Sequence, residues 1–166
     1  MAEIKTLAYG ESFSYKGLID VKDLYRLLDK WFKEHGYDKN ELWNFEEVYE
    51  DGKQITLKIQ PYKKLSDYAK VEIRITVTMK RLKEVEIEKK TGKIKILRGE
   101  ASFVFDVFLT TDYEEHWEQK PIYFFFKTVA EKFLYRSYID KFEEQAMKDK
   151  DAVKRELKSY LNMQRF

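Results

Sequence analysis

Alternation between apolar and polar positions is most regular in the middle of the chain. Residues 71–79 read VEIRITVTM, in which every second residue is apolar, so this stretch predicts a β-strand with one buried face. Residues 102–111 are mostly aromatic or β-branched, which favours a central strand covered on both sides. The charged segment between them turns near Gly92. The pattern therefore predicts one long β-hairpin over residues 67–112.

Shorter strands are predicted before this hairpin. Residues 42–50 are rich in aromatic and apolar side chains, and residues 53–60 alternate between apolar and polar positions. Asp51-Gly52 between them is a typical hairpin turn. Residues 11–19 could add an edge strand, so we expect an antiparallel meander of four to five strands.

The first helix is predicted from three- and four-residue spacing of apolar side chains in residues 21–36. Asp20 precedes this stripe and is suited to cap the helix N-terminus. Gly36 can adopt the left-handed conformation that ends a helix.

A second apolar stripe follows Pro121 and runs along residues 122–162. A single helix over this range would be about 60 Å long, which exceeds the needs of a domain of this size. We therefore expect a break at residues 148–151, with Asp149 or Asp151 capping a final helix.

This order of elements predicts an α+β fold. It would be an antiparallel β-meander of four to five strands with a long central hairpin, packed against an N-terminal helix and one or two long C-terminal helices. The 166 residues are expected to form a single domain, 1–166. The apolar face of residues 71–79 breaks between Lys80 and Lys83, which suggests a bulge or a departure from the core. Residues 80–100 are then expected to project as a basic β-hairpin arm.

Composition narrows the possible chemistry. The chain has no cysteine, which excludes disulfides and thiolate metal sites and makes a cytoplasmic location the simplest expectation. No membrane segment, nucleophile motif or phosphate-binding glycine loop occurs, so we expect a non-enzyme with no cofactor and no metal. One alternative stays open at His116, because Asp112, Glu114, Glu115 and Glu118 lie near it in the sequence. This group could bind a hard cation or perform acid–base chemistry.

The formal net charge is only +2, so any polyanion-binding surface depends on how the basic residues cluster. Two clusters stand out, one in the hairpin arm and one in the last helix. We expect a non-catalytic homodimer that binds RNA or a ribonucleoprotein (ribosome-like) surface through both. The nucleic-acid-binding residues would be Lys80, Arg81, Lys83, Lys89, Lys90, Lys93, Lys95, Arg98, Lys150, Lys154, Arg155 and Lys158.

Dimerisation is expected from the apolar residues of the same arm. A two-stranded ribbon is marginally stable alone, and its apolar side chains would remain exposed to water in a monomer. A second copy of the arm would cover them. The interface would consist of Val85, Ile87, Ile94, Ile96 and Leu97.

Two other functions remain open. The element order resembles that of helix-grip ligand carriers, in which a long C-terminal helix lies across a curved sheet. This resemblance implies a carrier of a small hydrophobic ligand, with an aromatic cavity between sheet and helix. The lining residues would be Trp31, Trp43, Trp117, Tyr123, Phe126 and Phe133. The second alternative is a protein-binding adaptor.

Overall fold

A computed structural model describes residues 2–111, 129 and 136–163 of the chain. They form an α+β fold in which one antiparallel sheet has the strand order β1-β6-β5-β3-β2, and β4 also pairs with β5. The elements are β1 (Glu3–Ile19), α1 (Val21–Glu34), β2 (Glu41–Tyr49), β3 (Gly52–Ile59), β4 (Tyr62–Lys64), β5 (Ala69–Lys89), β6 (Gly92–Thr111) and α2 (Arg136–Met163).

The predicted long hairpin is confirmed as strands β5 and β6. They pair from Ala69 opposite Thr111 to Lys89 opposite Gly92, and the turn lies at Lys90 and Thr91. The alternating apolar side chains of β5 over residues 71–79 are all buried, as expected. Strand β6 is central, but its predicted burial on both faces holds only in part. Phe103, Phe105 and Val107 are fully buried, whereas Val104 and Phe108 on the opposite face are half-buried.

The break in the pattern of β5 is a β-bulge. Register shifts by one residue between Lys80 and Lys83, and Arg81 has a positive φ of 54°. Two glycines make room for this bulge. A Cβ at Gly99 would lie 2.7 Å from the carbonyl oxygen of Lys80, and one at Gly52 would lie 2.9 Å from that of Leu82. Backbone from both neighbouring strands therefore approaches the bulge too closely for any larger residue.

Strand β1 confirms the expected fifth strand but is longer than predicted, because it begins at Glu3 rather than near Glu11. Its first half is irregular, with register shifts between Thr6 and Glu11. The backbone N–H of Gly10 at this irregularity donates to the buried carboxylate of Asp106 at 2.8 Å. An edge strand with bulges has only a weak alternation of apolar and polar residues, which explains why the predicted strand is shorter than β1.

The first helix and the β2–β3 hairpin also follow the sequence. The side chain of Asp20 accepts a hydrogen bond from the backbone N–H of Asp23 at 3.0 Å, and Gly36 has a φ of 76° just after the helix. The turn between β2 and β3 lies at Glu50 and Asp51, one residue before the predicted position. The short strand β4, paired with the start of β5, was not predicted.

The predicted helix break at residues 148–151 is wrong, because α2 runs without interruption over 28 residues. Its charged residues at this point are docking contacts. Asp149 accepts from the hydroxyl of Tyr37 at 2.8 Å, and Lys150 donates to both carboxylate oxygens of Glu11 at 2.7 Å. Buried charges with such partners need no interruption of the helix. Pro121 and the expected helical residues before Arg136, apart from Val129, lie outside the described residues.

Both helices pack on one side of the sheet, which we call the core face. There the apolar side chains of β3, β5 and β6 form a single cluster with α1 and α2. We call the opposite side the open face, because its side chains are half-buried or exposed over most of its width. The open face carries the polar positions of the same strands, and it is the side on which Arg81 and Lys80 emerge.

Candidate nucleic-acid interface

Small hydroxyl side chains line the middle of the open face. Strand register aligns one row across five strands, in the order Phe45, Thr56, Thr78, Ser102 and Ser14. The neighbouring row contains Trp43, Lys58, Thr76, Val104 and Ser12 in the same order. Since the residues of β5 and β6 in these rows are small, a flat ligand can lie close to these strands and meet hydroxyl donors and acceptors.

Basic side chains converge beside these hydroxyls, around the bulge of β5. Two adjoining clefts of about 690 and 490 Å³ share Lys16 and Glu100, and we call them together the bulge cleft. Its cations come from three strands and outnumber its carboxylates, Asp51 and Glu100. They are Lys16, Lys80, Arg81, Lys83 and Arg98.

Glu100 organises two of these cations. Its carboxylate accepts a hydrogen bond from Arg81 and lies 3.2 Å from the Nζ of Lys16. The hydrogen bonds from Arg81 and Lys16 hold the pKa of Glu100 below its ordinary value. The hydrogen bond between Arg81 and Glu100 also raises the pKa of Arg81. The cleft therefore keeps fixed positive groups whose remaining N–H donors can bind an anion such as a phosphate.

Exposed aromatic residues border the open face on strand β2. Trp43 and Phe45 are 43% and 59% exposed, their rings stack at 6.4 Å, and the Nζ of Lys58 lies 4.4 Å from the Trp43 ring centre. An exposed aromatic ring beside a lysine is suited to stack on a nucleobase while the ammonium meets its phosphate. Hydroxyls, cations and aromatic rings thus occupy one continuous side of the sheet.

Only part of the predicted hairpin patch contributes to this surface. Lys80, Arg81, Lys83 and Arg98 lie in the bulge cleft. Further out, register places Lys93 opposite Glu88 and Lys95 opposite Glu86, and Lys95 also forms an ion pair with Glu84 at 3.0 Å. Lys89 and Lys90 are exposed at the tip. The outer arm is therefore nearly balanced in charge, and the positive surface is concentrated at its base.

Of the three lysines predicted on the last helix, one is buried and two lie beside aromatic rings. Lys150 is only 2% exposed and is bound by Glu11 and Asp151, so we remove it from the candidate binding residues. Lys154 and Lys158 follow on the same side of α2, with their Nζ atoms 5.9 Å from the Phe105 ring and 5.2 Å from the Phe13 ring. These side chains cover the core face with their methylene groups. Arg155 is exposed but lies apart from this row.

The apolar residues of the arm are less exposed than the sequence suggested. Strand β1 pairs along β6 as far as Leu97, which reaches the main core, and Ile96 is only 8% exposed. Val85, Ile87 and Ile94 are half-buried. The argument for an arm-to-arm interface is accordingly weaker, although dimerisation through these residues stays a prediction.

The remaining candidates contribute no site among the described residues. His35 stacks on Trp31 and contacts its carbonyl oxygen at 2.7 Å, which is a structural role. His116 and its acidic neighbours lie outside the described residues, as do Trp117, Tyr123, Phe126 and Phe133 of the ligand-carrier hypothesis. The other two residues of the ligand-carrier hypothesis do not line a common cavity, because Trp31 is buried in the core and Trp43 lies on the open face. Residues 2–111, 129 and 136–163 contain no group of acidic or histidine side chains arranged to hold a metal.

Sequence reasoning missed Lys16, Trp43 and Phe45 as parts of the candidate interface. Lys16 reaches the bulge only through the pairing of β1 with β6, which brings together residues far apart in the chain. The aromatic residues had a detectable signal, since β2 carries large apolar side chains at both odd and even positions and so cannot bury them all on one face.

No helix in the described part of the chain is both long and apolar enough to span a membrane. Comparison with known protein families, curated proteins and solved structures finds no match.

Proposed function

We propose that this protein is a non-catalytic RNA-binding protein that uses the open face of its sheet. Phosphates would bind in the bulge cleft, and unpaired bases would stack on the aromatic residues of β2. The observation that carries the proposal is the convergence of five cations from three strands beside a row of hydroxyls and exposed aromatic rings. A cytoplasmic location, expected from the cysteine-free sequence, belongs to the same proposal.

Single-stranded RNA suits this arrangement better than a duplex. Splayed bases can stack on aromatic side chains, whereas the bases of an A-form helix are inaccessible in its deep major groove. The small hydroxyls of Thr78, Ser102 and Ser14 can exchange hydrogen bonds with ribose 2′-hydroxyl groups, which favours RNA over DNA. Little base-edge recognition is available, so weak sequence preference is expected.

The test is fluorescence anisotropy with a labelled single-stranded RNA over a range of salt concentrations. Binding should weaken steeply with salt, and each lysine or arginine removed from the cleft should reduce the log–log slope by about 0.7. A DNA strand of the same sequence should bind less tightly. Binding that does not depend on salt, or no binding at low salt, would overturn the proposal.

Two variants and one control make the test specific to the cleft. Arg81→Gly removes a cation at a position of positive φ that glycine adopts without strain, so the fold should survive. Lys16→Gln removes a second cation of the cleft, whose side chain is 80% exposed and paired with Glu100. Lys30→Gln on α1 is the matched control, because Lys30 is 75% exposed and paired with Glu34. Lys30→Gln should bind like wild type, and equal losses in all three variants would argue against the cleft.

A further inference from the structure

We infer that strand β2 is the site at which two copies of this protein associate, joining their sheets edge to edge. This inference concerns a surface distinct from the bulge cleft and does not depend on RNA binding. It places the expected homodimer interface on the edge strand instead of on the hairpin arm.

Strand β2 is an unprotected sheet edge. All nine of its residues are exposed, and its apolar side chains include Leu42 at 43% and Val48 at 75% exposure. It contains neither proline nor lysine, the residues that commonly block edge pairing. Register irregularities interrupt β1 between Thr6 and Glu11, whereas the one in β2, between Glu41 and Trp43, leaves residues 43–49 in regular register. A strand with these properties is a template for a further strand.

The charges of β2 favour a second copy of itself as the added strand. In an antiparallel pair related by a two-fold axis, the register centred on Phe45 places Leu42 opposite Val48 and Trp43 opposite Glu47. It also places Asn44 opposite Glu46 and Glu41 opposite Tyr49, so that no glutamate faces another. Centring the pair on Asn44 would oppose Glu41 and Glu47, and centring it on Glu46 or Glu47 would oppose identical charges. The Phe45 register therefore pairs the two strands without placing two glutamates directly opposite each other.

A single-cysteine experiment tests both the association and its register, because the chain contains no cysteine. In the Phe45 register, residue 45 faces its own copy across the axis, within the distance that a disulfide can bridge. The two copies of residue 48 would be about 20 Å apart. Under mild oxidation, Phe45→Cys should form a covalent dimer, whereas Val48→Cys, at a more exposed position, should not. Crosslinking at position 48 as efficient as that at position 45 would overturn the inference.

Sedimentation velocity provides the second measurement. The wild-type chain should show a concentration-dependent dimer. The double variant Leu42→Lys/Val48→Lys, which opposes lysines twice across the interface, should be monomeric. Tyr9→Lys is the matched control on the other edge, since Tyr9 is 78% exposed, and it should leave the dimer intact. A wild-type monomer at every concentration, or a dimer lost in Ile87→Lys but kept in the double variant, would refute the inference.

Discussion

At the scale of single residues, the ion pair between Lys150 and Glu11 decides how α2 is seated on the sheet. Desolvation opposes the charge of Lys150, but its hydrogen bonds to Glu11 and Asp151 outweigh this and raise its pKa. The hydrogen bond from Lys150 lowers the pKa of Glu11 below its ordinary value of 4.5. The pair therefore remains charged in the folded protein over the whole neutral range.

Replacing Glu11 by glutamine should reduce stability in a pH-dependent way. At neutral pH we expect Glu11→Gln to lower the free energy of unfolding by about 1–3 kcal/mol, less than for a fully buried pair because Glu11 is 38% exposed. The folded-state pKa of Glu11 is depressed, so its contribution is present above the unfolded-state value. It is lost as the pH falls through the folded-state value.

Urea unfolding at several pH values checks this expectation. The difference between wild type and Glu11→Gln should be constant near neutrality and should shrink below pH 4.5, the ordinary carboxyl value. Glu34→Gln is a suitable control, because Glu34 pairs with Lys30 on an exposed helix surface. A difference that is independent of pH would show that Glu11 acts through packing alone.

At the scale of elements, the bulge in β5 shows how far local sequence can predict a part of the candidate interface. The break in alternation at Lys80 identifies where the pattern changes, since a one-residue insertion reverses which side chains face the core. The consequence depends on residues elsewhere in the chain. Gly52 and Gly99 give the bulge its space, and Lys16 joins it from β1. These contacts come from strand pairing, which local alternation does not encode.

Substituting Gly99 should test whether the bulge is sterically fixed. An added Cβ would lie 2.7 Å from the Lys80 carbonyl oxygen and 2.8 Å from a methyl group of Leu82. Because backbone has to move, Gly99→Ala should lower the free energy of unfolding by about 1–3 kcal/mol. Amide exchange at Arg81 and Leu82 should accelerate.

Chemical denaturation and hydrogen exchange measure the two effects separately. Ser102→Ala, a small change on the open face of the same strand, should stay within about 0.5 kcal/mol of wild type. If Gly99→Ala also remains within that range and leaves exchange at the bulge unchanged, the bulge has more room than the glycines suggest.

The two helices also differ in how well local sequence predicts them. Helix α1 could be predicted from residues 20–36 alone, because its cap, stripe and terminating glycine are all local. The charges at residues 148–151 suggested a break, since an isolated sequence gives no sign that Tyr37 and Glu11 will meet them. Buried polar residues on a helix are recognisable only through their tertiary partners.

At the scale of the whole molecule, the two proposals concern perpendicular directions of one sheet. Edge pairing of β2 uses backbone groups in the plane of the sheet, whereas RNA would lie across the open face. Rotation about an axis perpendicular to the sheet preserves its faces, so a dimer would present two open faces side by side. The two β6 strands, each next to a bulge cleft, would be about 34 Å apart, given a spacing of about 4.8 Å between strands.

A dimer of this form should bind long RNA more tightly than short RNA. A strand of about 4 nucleotides can occupy one open face, whereas a strand of about 16 can reach both clefts and gain avidity. The double variant Leu42→Lys/Val48→Lys leaves Trp43, Phe45 and the bulge cleft unchanged. It should therefore lose the preference for the long strand, even if its two added lysines raise the affinity for both lengths. Anisotropy titrations of both lengths with both proteins measure this. If the wild type and the double variant depend equally on RNA length, RNA binding does not involve β2 association, because each monomer then binds RNA independently.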